Sequence, residues 1–263
     1  MMNAKEDSLK LGLVQTDNTW QDIDASLVNL SNKIDKIDNT VDVIILPELF
    51  STGFTMEAEE VAETMDGKAV KWMQALAKEK QCLVIGSLLI VESGTYFNRL
   101  IAAFPEGTIQ SYDKRHLFSF AGEDAVFTAG EERLIINFKD FKICPLICYD
   151  LRFPVWSRNT DKIDLLIYVA NWPDARMLAW DTLLRARAIE NLCYVAGVNR
   201  VGVDNNQLVY VGHTSAYDAM GASLLNSKAS QEAIYYTTLE KAHIASVREK
   251  FSFLDDRDRF EMK

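Results

Sequence analysis

Short β-branched apolar runs, each stopping at a polar turn and separated by stretches of helical period, constrain this chain more than any other feature of it. Leu9 to Gln15 alternates with period two and reads as a strand. Ile23, Leu27, Leu30, Ile34 and Ile37 then recur at the spacing of one helix face. Asp42 to Leu46 is another strand, followed by a helix around 70–77. Residues 82–91 and 98–104 read as paired strands around the turn Glu92-Ser93-Gly94-Thr95. The second half predicts strands near 134–138, 141–148, 164–170 and 194–200, with a long helix over 176–192. Further strands follow near 207–218 and 232–238, then a short helix near 239–249 and a polar tail. Helices between strands require crossovers and adjacent strands make hairpins, so an α/β fold with mixed sheets is expected. No Gly/Ser-rich linker, repeat or low-complexity tract divides the 263 residues, which predicts one domain over 1–263.

A hydrophobic content of 48% supplies a substantial core. The formal net charge of −10 argues against a nucleic-acid partner, because phosphate binding needs a basic face. No apolar stretch reaches signal-peptide or bilayer length, so the expectation is a soluble cytoplasmic protein with no membrane partner. Of the four cysteines, Cys82 and Cys193 lie inside apolar runs and read as small buried hydrophobes. Cys144 and Cys148 would share a strand face, but no Cys-x-x-Cys occurs. His116, His213 and His243 are scattered without ligand spacing, so no metal site is expected.

Three strand ends deliver residues with chemistry. Phe141 to Ile147 stops at Cys148, ahead of Tyr149-Asp150, and so holds a thiol at a sheet edge. Val43-Ile44-Ile45-Leu46-Pro47 delivers the Glu48 carboxylate, and Ser111-Tyr112-Asp113 presents the Lys114 ammonium. A thiol, a base and a cation are the parts of an acyl-transfer enzyme that works through a cysteine. Each residue also has a plainer reading: Glu48 as a solvated loop acid, Lys114 as one member of an exposed charge cluster, Cys148 as a packing residue. Glu123 sits in a flexible-looking stretch, Ala121-Gly122-Glu123-Asp124, from which it could pair with Lys114 or face water. Asn171-Trp172-Pro173 ends another apolar run, so Trp172 is a candidate wall of the same edge. Arg187 and Glu190 have the spacing of an intrahelical pair and read as structural.

Taken in order, these segments resemble the carbon–nitrogen hydrolase (nitrilase) superfamily. The resemblance rests on Leu46-Pro47-Glu48, on Tyr112-Asp113-Lys114-Arg115-His116-Leu117 and on Cys148-Tyr149-Asp150-Leu151-Arg152-Phe153-Pro154. Ala170 to Pro173, Arg185 to Asn191 and Val198 to Gly202 extend it over nearly the whole chain. It implies a four-layer αββα sandwich and a homodimer paired through helices. It also implies a catalytic set of Glu48, Lys114 and Cys148, with Glu123 holding Lys114 and the substrate in position. In that scheme Lys114 and the Tyr149 backbone N–H face the oxyanion, and neither a metal nor an organic cofactor is required.

The run Cys148 to Arg158 is especially similar to bacterial ω-amidases, which hydrolyse the terminal amide of 2-oxoglutaramate or 2-oxosuccinamate. Such a small-molecule substrate carries a carboxylate away from the scissile amide, and Arg176, just after Trp172-Pro173, is the expected cation for it. An N-carbamoyl or short aliphatic amidase would keep the same three residues and change the pocket. A thiol-containing binding protein would keep the fold without turnover. One segment departs from the family: where many relatives have Gly-x-Ser and Pro-x-Gly, this chain reads Gly212-His213-Thr214-Ser215 and Ala219-Met220-Gly221, with His213 expected as a hydrogen-bonding residue.

Overall fold

The protein was analysed as a computed structural model, in which residues 7–259 are described. In chain order, the first half contains β1 (Ser8–Gln15), α1 (Ile23–Ile34), β2 (Val43–Ile45), α2 (Ala58–Val61), α3 (Lys68–Lys80), β3 (Leu83–Glu92), β4 (Thr95–Ala103) and β5 (Ile109–Asp113). After these come α4 (Glu123–Val126), β6 (Ile136–Phe138), β7 (Phe141–Ile147), β8 (Leu165–Ala170), α5 (Met177–Asn191) and β9 (Tyr194–Asn199). The last elements are β10 (Val201–Val203), β11 (Val209–Val211), β12 (Ser215–Tyr217), β13 (Ala233–Glu240) and α6 (Lys241–Lys250).

Six strands form one sheet in the order β13-β1-β2-β3-β4-β5, and five form a second in the order β12-β9-β8-β7-β6. Both are mixed. β1, β2 and β3 run parallel, as do β7, β8 and β9, while the outer strands pair antiparallel. Period two explains how the layers meet. Leu9, Leu11, Leu13, Val43 and Ile45 point from the first sheet into a buried cluster shared with Ile143, Leu165 and Ile167 of the second. Val14, Ile44 and Val84 pack instead against Leu27, Leu30 and Ile34 of α1 and Val70, Met73 and Ala77 of α3. Each such side chain contributes roughly 1.5–3 kcal/mol by leaving water.

On the far side α5 lies on β9, and Gly197 permits the close approach. A β-carbon there would fall 2.5 Å from Leu184 Cδ1 and 2.8 Å from Trp180 Cζ2, so only glycine fits. The result is the expected αββα order of helix, sheet, sheet and helix.

One expected strand is corrected. The 207–218 run divides into β11, which pairs with β10 in a separate hairpin, and β12, which joins the second sheet. The break is at Gly212 and His213, both left-handed at φ +81° and +59°. A β-carbon on Gly212 would meet Gln15 Oε1 at 2.2 Å. That same oxygen accepts the Thr214 N–H at 3.0 Å and pins the corner. No helix among the described residues is long and apolar enough to cross a membrane.

Cys82, Cys144 and Cys193 are buried. Loss of water pushes the thiols of Cys82 and Cys144 up to about 12, from an ordinary value of 9.0. Unfolding would return them to that ordinary value, so between pH 9 and 12 the unfolded chain binds fewer protons than the folded one. Stability is therefore undiminished by these thiols below pH 9. Above it, stability falls by about 1.4 kcal/mol per thiol for each pH unit. The melting temperature followed by circular dichroism is expected to drop from pH 8 to pH 11, less steeply in Cys144→Ala.

Candidate active site

Glu48 follows the end of β2, and the chain turns left-handed directly after it, at Leu49 (φ +43°). The turn sends the Glu48 side chain inward, where it is fully buried. A buried carboxylate is tolerable only with donors around it. Oε1 accepts Lys114 Nζ at 2.9 Å and Asn98 Nδ2 at 2.8 Å, and Oε2 accepts the Asn171 backbone N–H at 2.8 Å. Lys114, the first residue past β5, is held through its backbone N–H on the Asn98 carbonyl. Its ammonium also donates to both oxygens of Glu123, each at 2.9 Å.

Glu123 is not in a flexible stretch, as the sequence suggested. It opens the one-turn helix α4 and is fully buried, and its Oε2 also accepts the Phe118 N–H at 2.6 Å.

Cys148 begins a 3-10 turn that runs to Arg152, and it adopts φ +41°, a left-handed conformation that costs a non-glycine residue roughly 1–2 kcal/mol. Asp150 holds the turn in that shape. Its Oδ2 accepts the Ile147 N–H at 3.0 Å and the Tyr112 hydroxyl at 2.7 Å. Its Oδ1 accepts the His116 N–H at 3.0 Å and contacts His116 Nδ1 at 2.8 Å. Tyr112 in turn accepts the Trp156 indole N–H and the Arg115 N–H, both at 3.0 Å. One buried carboxylate thus ties the cysteine turn to the turn that carries Lys114.

The charges follow from this packing. Burial acts to lower the Lys114 value, but the carboxylates of Glu123 and Glu48 outweigh it and keep the ammonium firmly charged. Burial, together with the charge of Glu48, raises Glu123 despite its contact with Lys114. Cys148 retains some exposure as a residue, yet its thiol is crowded by protein atoms. Desolvation first, and the neighbouring Glu48 second, push it well above the ordinary thiol range. The resting state is therefore a thiol beside a carboxylate and an ammonium. Passing the thiol proton to the carboxylate leaves the buried net charge unchanged, which makes the transfer feasible in a low-dielectric site.

A pocket of about 150 Å³ opens over this cluster. Lys114, Cys148 and Asn171 border it, Phe54, Phe118, Tyr149 and Trp172 provide apolar and aromatic walls, and Arg152 and Arg176 bring guanidinium groups to it. The expected Tyr149, Trp172 and Arg176 therefore meet the expected Glu48, Lys114, Glu123 and Cys148 in one place. Trp172 is fixed by its indole N–H, which donates to the Arg176 carbonyl at 2.8 Å. His213 is not part of the pocket lining; its ring contacts Asp181 at 3.0 Å. Arg187 binds Glu190 and the Leu151 carbonyl at 2.9 and 2.7 Å, a structural role.

Residues 10–249 match the carbon–nitrogen hydrolase family. The chain belongs to that family.

This carbon–nitrogen hydrolase is 42% identical over 254 residues to omega-amidase YafV of Escherichia coli, covering 97% of this chain and 98% of the relative. It is 34% identical over 228 residues to the 2-oxoglutaramate amidase of Bacillus subtilis, covering 85% and 87% of the two chains. Its fold matches the crystal structure of a CN-hydrolase superfamily protein from Xanthomonas campestris that carries an arsenic adduct in its active site. That match has a TM-score of 0.95 at 42% identity and covers 97% of this chain and 99% of the other.

Sequence reasoning missed three members of the site in this carbon–nitrogen hydrolase. Asn98 donates to Glu48 at 2.8 Å and to Glu123 at 3.3 Å, so it bridges the two acids. Asn171 binds Glu48 twice, through its backbone N–H and through Nδ2 on the Glu48 carbonyl at 2.7 Å. Asp150 is the third. The available signal was a polar residue at the end of an apolar run, which holds for Asn171 after Leu165–Ala170; Asn98, beside Arg99 in a mixed strand, carries no such mark.

Proposed function

We propose that this protein is an ω-amidase. In this reading it hydrolyses the terminal amide of small 2-oxo dicarboxylic acid monoamides, 2-oxoglutaramate and 2-oxosuccinamate, to the keto acid and ammonia. The observation that carries the reading is Cys148 set beside the Glu48–Lys114–Glu123 cluster, under a small pocket that holds guanidinium groups without carboxylate partners. The likeness to omega-amidase YafV and 2-oxoglutaramate amidase supports the substrate class.

Glu48 takes the Cys148 proton as the sulfur attacks the amide carbonyl carbon. The carbonyl oxygen becomes an oxyanion facing Lys114 Nζ and the Tyr149 N–H. As the tetrahedral adduct collapses, the C–N bond breaks and protonated Glu48 returns its proton to the departing ammonia. Glu48 then takes a proton from water, the hydroxide adds to the thioester, and the C–S bond breaks as Glu48 returns that proton to the departing sulfur, releasing the acid and restoring the thiol. Glu123 fixes Lys114 throughout. Arg176 binds the distal carboxylate in two-pronged fashion, while Tyr149 and Trp172 wall the carbon chain.

Homodimer formation belongs to the same reading and is supported by apolar side chains left on α5, Leu178 (83% exposed) and Ile189 (48%). So does a cytoplasmic location, which suits four free cysteines.

The test is ammonia release from 2-oxosuccinamate and 2-oxoglutaramate beside glutamine, asparagine and an N-carbamoyl amino acid. Fast release from the keto acids alone is expected. Turnover of the carbamoyl substrate alone would keep the chemistry and overturn the substrate class. Silence on the whole panel would support a binding protein.

A further inference from the structure

Arg152 closes the 3-10 turn that Cys148 opens, about 8 Å along the turn axis at 2.0 Å per residue. Its guanidinium reaches the same pocket and lies over the Trp172 ring, 4.9 Å from the centroid. It makes no hydrogen bond or ion pair with any described residue. Arg176 is in the same condition: its guanidinium sits 5.0 Å from the Phe118 ring centroid, and its side chain has no polar partner among the described residues. Elsewhere Arg99, Arg187 and Arg248 pair with acids, and Arg185, also stacked and without an acid, lies over Tyr217 outside this pocket. In a chain of net charge −10, two arginines without acids in one small pocket need a reason.

The acids beside the pocket are already engaged. Glu48 and Glu123 hold Lys114, and Asp150 holds Tyr112, His116 and the Ile147 N–H. No aspartate or glutamate lines the cavity itself. A stacked guanidinium keeps its edge N–H groups free, so both arginines present donors already oriented for an anion.

We propose that Arg152 is a second specificity-determining residue, acting with Arg176 as an anion clamp that admits 2-oxo acids and repels 2-amino acids. The proposal rests on the amidase reading above and deepens it. A 2-oxo carboxylate offers acceptor oxygens to both guanidinium groups. The 2-ammonium of asparagine or glutamine, in the same position, would face two cations and find no acid to receive it.

The test compares two constants in wild-type protein, Arg152→Gln and Arg152→Lys: KM for 2-oxosuccinamate and the inhibition constant of asparagine against it. In Arg152→Gln, KM is expected to rise about tenfold while the asparagine constant falls or stays level, so their ratio drops at least tenfold. Lysine keeps the charge and loses the fork, so Arg152→Lys is expected to drop the ratio at least threefold. It also serves if the glutamine variant does not fold. Loosened packing would raise both constants together, and an unchanged ratio in the folded variants overturns the proposal alone. Wild-type protein that releases no ammonia from either keto-acid amide overturns the amidase reading, and this proposal with it.

Discussion

Cys148→Ala is expected to lower ammonia release from 2-oxosuccinamate by roughly ten-thousand-fold or more, with the melting temperature little changed. The expected loss is large because the proposed route passes through a covalent bond to sulfur, and neither Lys114 nor the Tyr149 N–H can replace it. The stability effect is small because alanine keeps the left-handed backbone of Cys148 and every hydrogen bond of Asp150 that shapes the turn. Cys148→Gly separates the two properties further. Glycine tolerates φ +41° without the β-carbon clash, so this variant should be about 1 kcal/mol more stable than Cys148→Ala and equally inactive. Denaturant titration beside the activity assay reads both. More than one part in a hundred of wild-type turnover in Cys148→Ala would remove it as the nucleophile.

Lys114→Met is expected to damage both activity and stability. Methionine keeps the unbranched stem, one atom shorter, and removes the cation that Glu48 and Glu123 share. Both carboxylates are fully buried, so a variant folded at pH 7 holds two uncompensated acids, at a cost of about 3–5 kcal/mol. Burial and Glu48 already raise Glu123 while Lys114 opposes them, and without Lys114 it must rise further.

The sign then follows. A folded-state value above the unfolded one adds stability that is present below the unfolded value and lost as pH rises through the folded one. Lys114→Met should therefore melt higher at pH 5 than at pH 8. Adding Glu123→Gln should recover part of the stability at pH 8. Turnover should fall at least about a hundredfold in both, because the oxyanion loses its charged donor. An unchanged melting curve for Lys114→Met at pH 8 would contradict the buried ion cluster described here.

Strand ends were legible because apolar runs are bounded by charge. The expected 141–148 and 164–170 correspond to Phe141–Ile147 and Leu165–Ala170. The 207–218 run was misread because β-branched residues flank Gly212 on both sides, and the need for a left-handed corner arises from Gln15, far away in the chain. α4 is too short to show a period, so the local sequence left Glu123 open between pairing with Lys114 and facing water, and only the resemblance favoured the pairing. Glu48 and Cys148 were singled out because each follows an apolar run and Lys114 because it follows a strand, and the ordered resemblance put them together. Nothing local to Asn98, Asn171 or Asp150 states which distant carboxylate or turn each one serves. That information lies in sheet register, which a linear reading does not contain.

The pairing of β1 with β13 has a consequence for how the molecule is made. Ser8 lies opposite Glu240 and Gln15 opposite Ala233, so the first strand completes its sheet only with one of the last. At ribosomal speeds of about 5–20 residues per second, more than 200 residues must be added after β1 before its partner exists, a wait on the order of tens of seconds. For that interval β1 presents an open edge with Leu9, Leu11 and Leu13 on one face, the kind of surface that recruits strands from other chains. Such an edge favours pairing with strands of other chains, and a chain cut short before residue 233 is expected to aggregate rather than fold into a weakened enzyme.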